Sequence, residues 1–255
     1  MSFIKIIPCL SDNYAYIIRD EHTNKNILVD APEHEPIEKY LDEKALSLDF
    51  ILITHHHSDH IDGVNYLKNK YSPKIIGASR DKHRLPPLDI EVEEGKQLSI
   101  GSKTFDIFDV DGHTVGHIAY ALLEDKALFT GDSLMVMGCG RLFEGTPDDM
   151  WKSLRKLKQL PKDIMIYSGH EYTRSNIEFA LTVDPRNDKL KARKVKELEK
   201  LANGSPTIPA TLGEELDTNP FLRESEPSIV DHMDTKNQDP VSRFTKIRKL
   251  ELDPK

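Results

Sequence analysis

The 255-residue sequence predicts an α/β domain followed by a helical extension. Three observations carry this expectation. The first two thirds are short apolar runs broken by turns and helical segments, and wholly apolar runs of four to six residues read as strands buried on both faces. From about residue 176 onward the strand signals fade. The charge pattern also becomes blocky there: residues 186–200 carry seven basic and three acidic side chains, 201–240 carry two and eight, and 241–255 carry five and two. Such blocks read first as solvated helix faces, and second as a basic edge aimed at an anionic ligand.

The elements follow in order. Strands are expected at 3–7, 14–19, 26–29, 50–54, 74–77, 105–109, 118–123, 127–130 and 164–168, with helices at 35–41, 63–70 and 148–160. The last helix has a clear start. Thr146 can cap it, Pro147 suits its first turn, and Asp148 and Asp149 favour the positive end of its dipole. Met150, Leu154 and Leu157 then recur at helical spacing. A further helix is expected at 187–201, with Leu190, Val195, Leu198 and Leu201 as its apolar face.

Composition excludes several classes. A net charge of -8 argues against a general nucleic-acid or acidic-membrane binder, which needs a basic balance or face. No run approaches the roughly 18 apolar residues of a membrane span, and the start of the chain lacks a charged segment followed by a long apolar stretch. Two cysteines, Cys9 and Cys139, cannot make a disulfide scaffold, which fits a reducing compartment such as the cytoplasm. A monomer is expected. The unusual number is eleven histidines.

Four of them fall within residues 54–60, Thr-His-His-His-Ser-Asp-His, directly after the apolar run 50–53. Imidazole suits zinc, iron and other first-row metals, and Asp59 adds an anionic oxygen. In an extended segment residues two apart point the same way, so His55 and His57 can grip one ion. Asp59 and His60 follow as the chain turns into a helix and can reach a second. His56 alternates away from that pair, and His117 is placed similarly, in supporting roles. Three further candidates, His113, Asp132 and His170, each sit just past an expected strand, where the loops of α/β sites converge. Packing alone does not explain this distribution; a two-metal site does. His22, His34, His83 and His232 lie in polar surroundings and read as surface residues.

This pattern, Thr54-His55-x-His57-x-Asp59-His60 with His113, Asp132 and His170 downstream, resembles the metallo-β-lactamase superfamily. The resemblance implies a four-layer αββα sandwich with a dinuclear site at one sheet edge and, here, a C-terminal α-helical domain. Within the superfamily the chain is similar to the glyoxalase II (hydroxyacylglutathione hydrolase) family nearly end to end. The segments that carry the likeness are 10–14, 54–60, 138–145 (Gly-Cys-Gly-Arg-Leu-Phe-Glu-Gly), 169–173, 219–223 (Asn-Pro-Phe-Leu-Arg) and 239–241. The likeness implies a catalytic domain over 1–172 and a helical, glutathione-contacting domain over 173–255. It makes His55, His57 and His113 ligands of one metal and Asp59, His60 and His170 ligands of the other, with Asp132 bridging. It points to Arg141, Phe143, Tyr172 and Arg248 for glutathione. The chain departs from some members at Glu251, where they have lysine, and at Phe143, where they have tyrosine.

The implied activity is hydrolysis of S-(2-hydroxyacyl)glutathione, S-D-lactoylglutathione above all, to glutathione and D-lactate, the second step of methylglyoxal detoxification. Two divalent cations, zinc first and iron or manganese as alternatives, would lower the pKa of a bridging water from about 15.7 toward neutrality. The resulting hydroxide attacks the thioester carbonyl, and a thiolate leaves without a strong general acid. Asp59 and Asp132 are the catalytic carboxylates. No Gly-x-Ser-x-Gly elbow is present to supply a serine nucleophile. The competing readings are a single-iron glutathione persulfide dioxygenase, a metallo-nuclease, which the acidic balance disfavours, and a noncatalytic metal-binding module, which the bridging aspartate disfavours.

Overall fold

The structure is a computed structural model and describes residues 3–252. By contact the chain divides into two compact units. One runs through Asp109 and also takes Val115–Gly131; the other takes Val110–Thr114 and everything from Asp132 onward.

The first unit opens with an antiparallel meander of β1 (Phe3–Cys9), β2 (Asn13–Asp20) and β3 (Lys25–Val29). It continues in parallel through β4 (Phe50–Leu52), β5 (Lys74–Ala78) and β6 (Ile90–Val92), giving a sheet ordered β1-β2-β3-β4-β5-β6. Parallel neighbours need crossovers, and here they are helical. The helix α1 (Glu35–Glu43) links β3 to β4; α2 (Ser58–Ile61) and α3 (Val64–Tyr71) link β4 to β5. Ile37 and Leu41 of α1 and Val64 and Leu67 of α3 pack on Leu28, Ile51 and Ile75 of the sheet. Ile51 and Leu52, which point to opposite faces of β4, are both fully buried, which explains its unbroken apolar run.

A second set, β7 (Gln97–Ile100), β8 (Lys103–Asp109), β9 (Ile118–Leu122) and β10 (Ala127–Gly131), is antiparallel in the order β10-β9-β8-β7. Its inner face meets the first sheet within this unit. Tyr16 lies 5.5 Å from Phe129, ring to ring, and the Tyr120 hydroxyl donates to the Ile53 carbonyl at 2.9 Å. Burial pushes the Tyr120 phenol well above its ordinary pKa, so that donor stays protonated. β6 and β7 escape the sequence reading because β6 is three residues in an acidic stretch and β7 is a half-buried edge.

The second unit holds a small hairpin, β11 (Leu134–Met135) with β12 (Gly138–Cys139), and α4 (Pro147–Leu157). Thr146 caps α4 as expected. Its hydroxyl accepts from the Asp149 amide, and the Asp149 carboxylate accepts from the Thr146 amide at 2.9 Å. There follow β13 (Met165–Ser168), α5 (Thr173–Val183), α6 (Asp188–Ala202), β14 (Ala210–Thr211) antiparallel to β13, α7 (Leu212–Thr218), α8 (Pro227–His232) and α9 (Pro240–Leu252).

α6 corrects the expected face. Val195 is 68% exposed, whereas Leu190, Arg193 and Glu197 are buried. The buried stripe is thus partly ionic. Arg193 Nη2 donates to Glu215 at 2.5 Å and Nη1 to the Thr218 hydroxyl at 2.6 Å. A basic block that reads as a wholly solvated face spends one arginine inside the fold. Among the described residues no helix is long and apolar enough to cross a membrane.

Candidate metal centre

The segment after β4 places the histidine cluster. Its backbone is extended at His57 (φ -60°, ψ 143°), and α2 begins at the next residue. His55 and His57 therefore point to one side, with ring centroids 4.8 Å apart. The start of α2 brings His60 under His55 at 4.1 Å. Asp59 lies beside it, with Oδ2 3.9 Å from His60 Nε2. The Asn13 amide donates to the Asp59 carbonyl at 2.9 Å and to Oδ2 at 3.1 Å, which aims that carboxylate.

Asp30, just past β3, organises this cluster, and the sequence reading did not single it out. Its Oδ1 accepts from the Thr54 amide and its Oδ2 from the Thr54 hydroxyl, both at 2.8 Å, and Oδ2 also lies 2.8 Å from His60 Nδ1. A carboxylate at neutral pH only accepts, so His60 carries its proton on Nδ1 and keeps the Nε2 lone pair for another partner. Thr54, its own proton given to Asp30, can accept from His55 Nδ1 at 3.1 Å. The signal was present as an aspartate ending the apolar run 27–29.

His56 turns away, as alternation implies, with Nδ1 3.0 Å from the buried Asp81. His117 is fully buried and stacks on His55 at 4.5 Å. Gly131 makes room for it. With φ at +48°, a Cβ there would sit 2.7 Å from the Thr54 hydroxyl and 2.8 Å from the His117 ring.

In the second unit His113, Asp132 and His170 are all buried. Asp132 Oδ2 lies 3.4 Å from His113 Nε2 and 3.2 Å from His170 Nε2. His113 Nδ1 lies 2.8 Å from the Arg141 carbonyl, which can only accept, so this ring too presents an unprotonated Nε2. Gly140 passes so close that a Cβ would collide with the Asp132 carbonyl and sit 2.9 Å from His113 Nδ1. Two exposed aromatics flank these rings. Tyr172 stacks on His170 at 4.6 Å and 9°, and Phe143 stands edge-on to His113 at 5.2 Å.

Three groups of ligand-type atoms each lie within 4.8 Å of one another: His55, His57 and His113; His55, His60 and Asp132; and Asp59, His60 and His170. All seven residues expected from the sequence as ligands occur in them. Imidazole nitrogens with carboxylate oxygens, and backing groups that leave Nε2 unprotonated on His60 and His113, suit divalent first-row metals. Of the residues expected to meet glutathione, Arg141, Phe143 and Tyr172 are exposed, whereas Arg248 is 2% exposed, with Nη1 donating to the Cys139 carbonyl at 3.0 Å. The side chain of Glu251 lies outside the described residues.

Comparison with known proteins agrees with this geometry. Residues 11–170 match the metallo-β-lactamase superfamily, and residues 171–251 match a family described as the hydroxyacylglutathione hydrolase C-terminus. A hydroxyacylglutathione hydrolase of Ruegeria pomeroyi is 53% identical over 245 residues, 96% of each chain. One from Rhodopseudomonas palustris is 44% identical over the same share of each. Among solved structures, the BLEG-1 B3 metallo-β-lactamase has a TM-score of 0.67 at 23% identity, over 86% of this chain and 99% of that one. ETHE1 from Myxococcus xanthus has 0.66 at 23%, over 97% of each. The protein TTHA1623, solved in a di-iron-bound form, has 0.61 at 23%, over 86% of this chain and all of that one. These structural likenesses show the metallo-β-lactamase fold that the sequence leads one to expect.

Proposed function

The chain belongs to the hydroxyacylglutathione hydrolase family of the metallo-β-lactamase superfamily, and from that premise we propose how its residues hydrolyse a glutathione thioester. The enzyme is a metal-dependent hydrolase that cleaves S-(2-hydroxyacyl)glutathione to glutathione and a 2-hydroxy acid, with S-D-lactoylglutathione and D-lactate as the preferred pair. The observation that carries the proposal is the set of three ligand groups. His55, His57 and His113 would hold one divalent ion and Asp59, His60 and His170 a second. Asp132, grouped with both His55 and His60, would be shared. Zinc is the proposed metal at both, because a nitrogen-rich set with few carboxylates suits it well.

When bound, the ions supply the acidity that turns water into a nucleophile near neutral pH, and they polarise the thioester carbonyl. The chain's own residues do the rest. Asp59, steadied by Asn13, offers an acceptor oxygen that can orient the attacking water and take up its proton. Asp132 Oδ2, 3.4 Å from His113 Nε2 and 3.2 Å from His170 Nε2, would bind the ions alongside these two rings. Asp30 and the Arg141 carbonyl hold protons on the outer nitrogens of His60 and His113, which leaves the inner ones as ligands. The thiolate leaves as an anion and is protonated by solvent.

Phe143 and Tyr172 present exposed rings beside His113 and His170, and Arg141 adds a cation in the same loop. Rings and a guanidinium are the groups that a flexible anionic tripeptide needs. The catalytic part is assigned to 1–172 and the glutathione-contacting part to 173–255. A cytoplasmic monomer is the proposed form; among the described residues the two cysteines make no disulfide. The single-iron dioxygenase reading has less support, because the second ligand group is complete and the C-terminal match is to the hydrolase. Metal analysis of the purified protein beside an assay on S-D-lactoylglutathione tests the proposal. Two zinc equivalents with thioester cleavage are expected; oxygen uptake with glutathione persulfide and no thioester cleavage would sink it.

A further inference from the structure

The turn that follows Asp132 is held by side chains that arrive much later in the chain. Its tip is strained, with Met137 at φ +54°. The Val136 carbonyl accepts from the Asn176 amide at 2.9 Å, and the Met137 amide donates to Glu215 at 2.7 Å. Asn219 donates to the Met135 carbonyl at 3.2 Å and to the Gly138 carbonyl at 2.9 Å. Arg248 Nη1 donates to the carbonyls of Cys139 at 3.0 Å and Gly140 at 3.3 Å. Asn176, Glu215, Asn219 and Arg248 are all at least nine-tenths buried. Arg248 is also packed over the Phe221 ring at 4.9 Å, and Phe221 lies against Phe244 at 5.5 Å. One residue beyond Gly140, the Arg141 carbonyl takes the Nδ1 proton of His113.

These contacts form a continuous line: Arg248, the carbonyls of Cys139 and Gly140, the carbonyl of Arg141, His113 Nδ1. A guanidinium placed on two successive carbonyls fixes the peptide planes through which the third is aimed. We propose that Arg248, supported by Asn219 and Glu215, is a positioning residue that sets the tautomer and aim of His113 by holding the turn 135–141. This extends the hydrolase reading and rests on His113 being a metal ligand. It gives the helical region a part in building the centre in addition to any contact with substrate.

The test uses the full chain with Arg248→Met and Arg248→Lys. Nitrogen NMR of the metal-stripped protein should show His113 protonated at Nδ1 in the parent, a mixture of tautomers with Met, and partial recovery with Lys, which can still donate to a carbonyl. Release of zinc to a chromophoric chelator should speed up by roughly 10- to 100-fold with Met. On the lactoyl thioesters of glutathione and of γ-glutamylcysteine, which lacks the glycine carboxylate, kcat should fall by the same factor with little change in KM. A parental tautomer and parental zinc release, with a KM rise confined to the glutathione thioester, would overturn the proposal and leave Arg248 as a substrate contact. If the Met variant does not fold by circular dichroism, the Lys variant decides by the same measurements. A parent chain that bound no metal and cleaved neither thioester would instead remove the hydrolase reading.

Discussion

His60 Nδ1 and Asp30 Oδ2 are 2.8 Å apart, thirty residues apart in the chain, and both are buried. The pair determines which His60 nitrogen keeps its lone pair, the one that the proposed metal would use. The same carboxylate also bonds the amide and the hydroxyl of Thr54, so one aspartate aligns the entry to the histidine segment and one of its imidazoles. Replacing Asp30 by Ala should weaken metal affinity by about 10- to 100-fold, measured by chelator competition. Unchanged affinity would separate Asp30 from the centre.

Asp132 Oδ2 lies within 3.4 Å of a nitrogen of each of two imidazoles, His113 and His170. Asp132→Ala should lose metal, read by elemental analysis, together with nearly all thioester turnover. Full retention of both metals would show that Asp132 is not shared between them.

Gly140 has no room for a methyl group against the Asp132 carbonyl and His113. Gly140→Ala should cost about 1–3 kcal/mol of stability as overpacking, seen as a lower denaturant midpoint at constant slope.

Phe143 is 64% exposed, so its ring adds little to the fold. Phe143→Ala should leave thermal stability within about 0.5 kcal/mol and raise KM for S-D-lactoylglutathione several-fold. A parental KM would exclude this ring from substrate binding.

Acid stability should depend in part on Glu214. Burial raises its pKa, but the Lys196 ammonium and the Thr211 amide outweigh burial and hold it at about 2, against an ordinary 4.5. The group is more acidic when folded, so its contribution is complete above about pH 4.5 and is lost as pH falls toward 2. Denaturant midpoints recorded across that window should fall less steeply in Glu214→Gln than in the parent.

The legibility of this site in the sequence follows from how local each part is. Residues 54–60 are legible because strand alternation and one helical turn suffice to converge them. His113, Asp132 and His170 are legible because each follows shortly after a strand. Asp30 is not, since its role exists only after the Asp30 amide pairs with the Leu52 carbonyl and brings it beside Thr54. Arg193, Glu197 and Glu215 mislead for another reason. Charged side chains at helical spacing look solvated until a buried turn, such as the one at Met137, needs their hydrogen bonds. The capping box of α4 is wholly local and is read correctly from four residues.

Arg248 and the Cys139 carbonyl it holds are separated by 109 positions. A contact of that span forms only after a large loop has closed, which slows its appearance during folding. On the ribosome, Asp132 and the three histidines at 55, 57 and 113 emerge well before the helix that steadies the turn beside them. A nascent chain can therefore expose these four His and Asp side chains while still lacking the contact that holds the turn beside Asp132 and His113. The fixing of that turn must wait for α9.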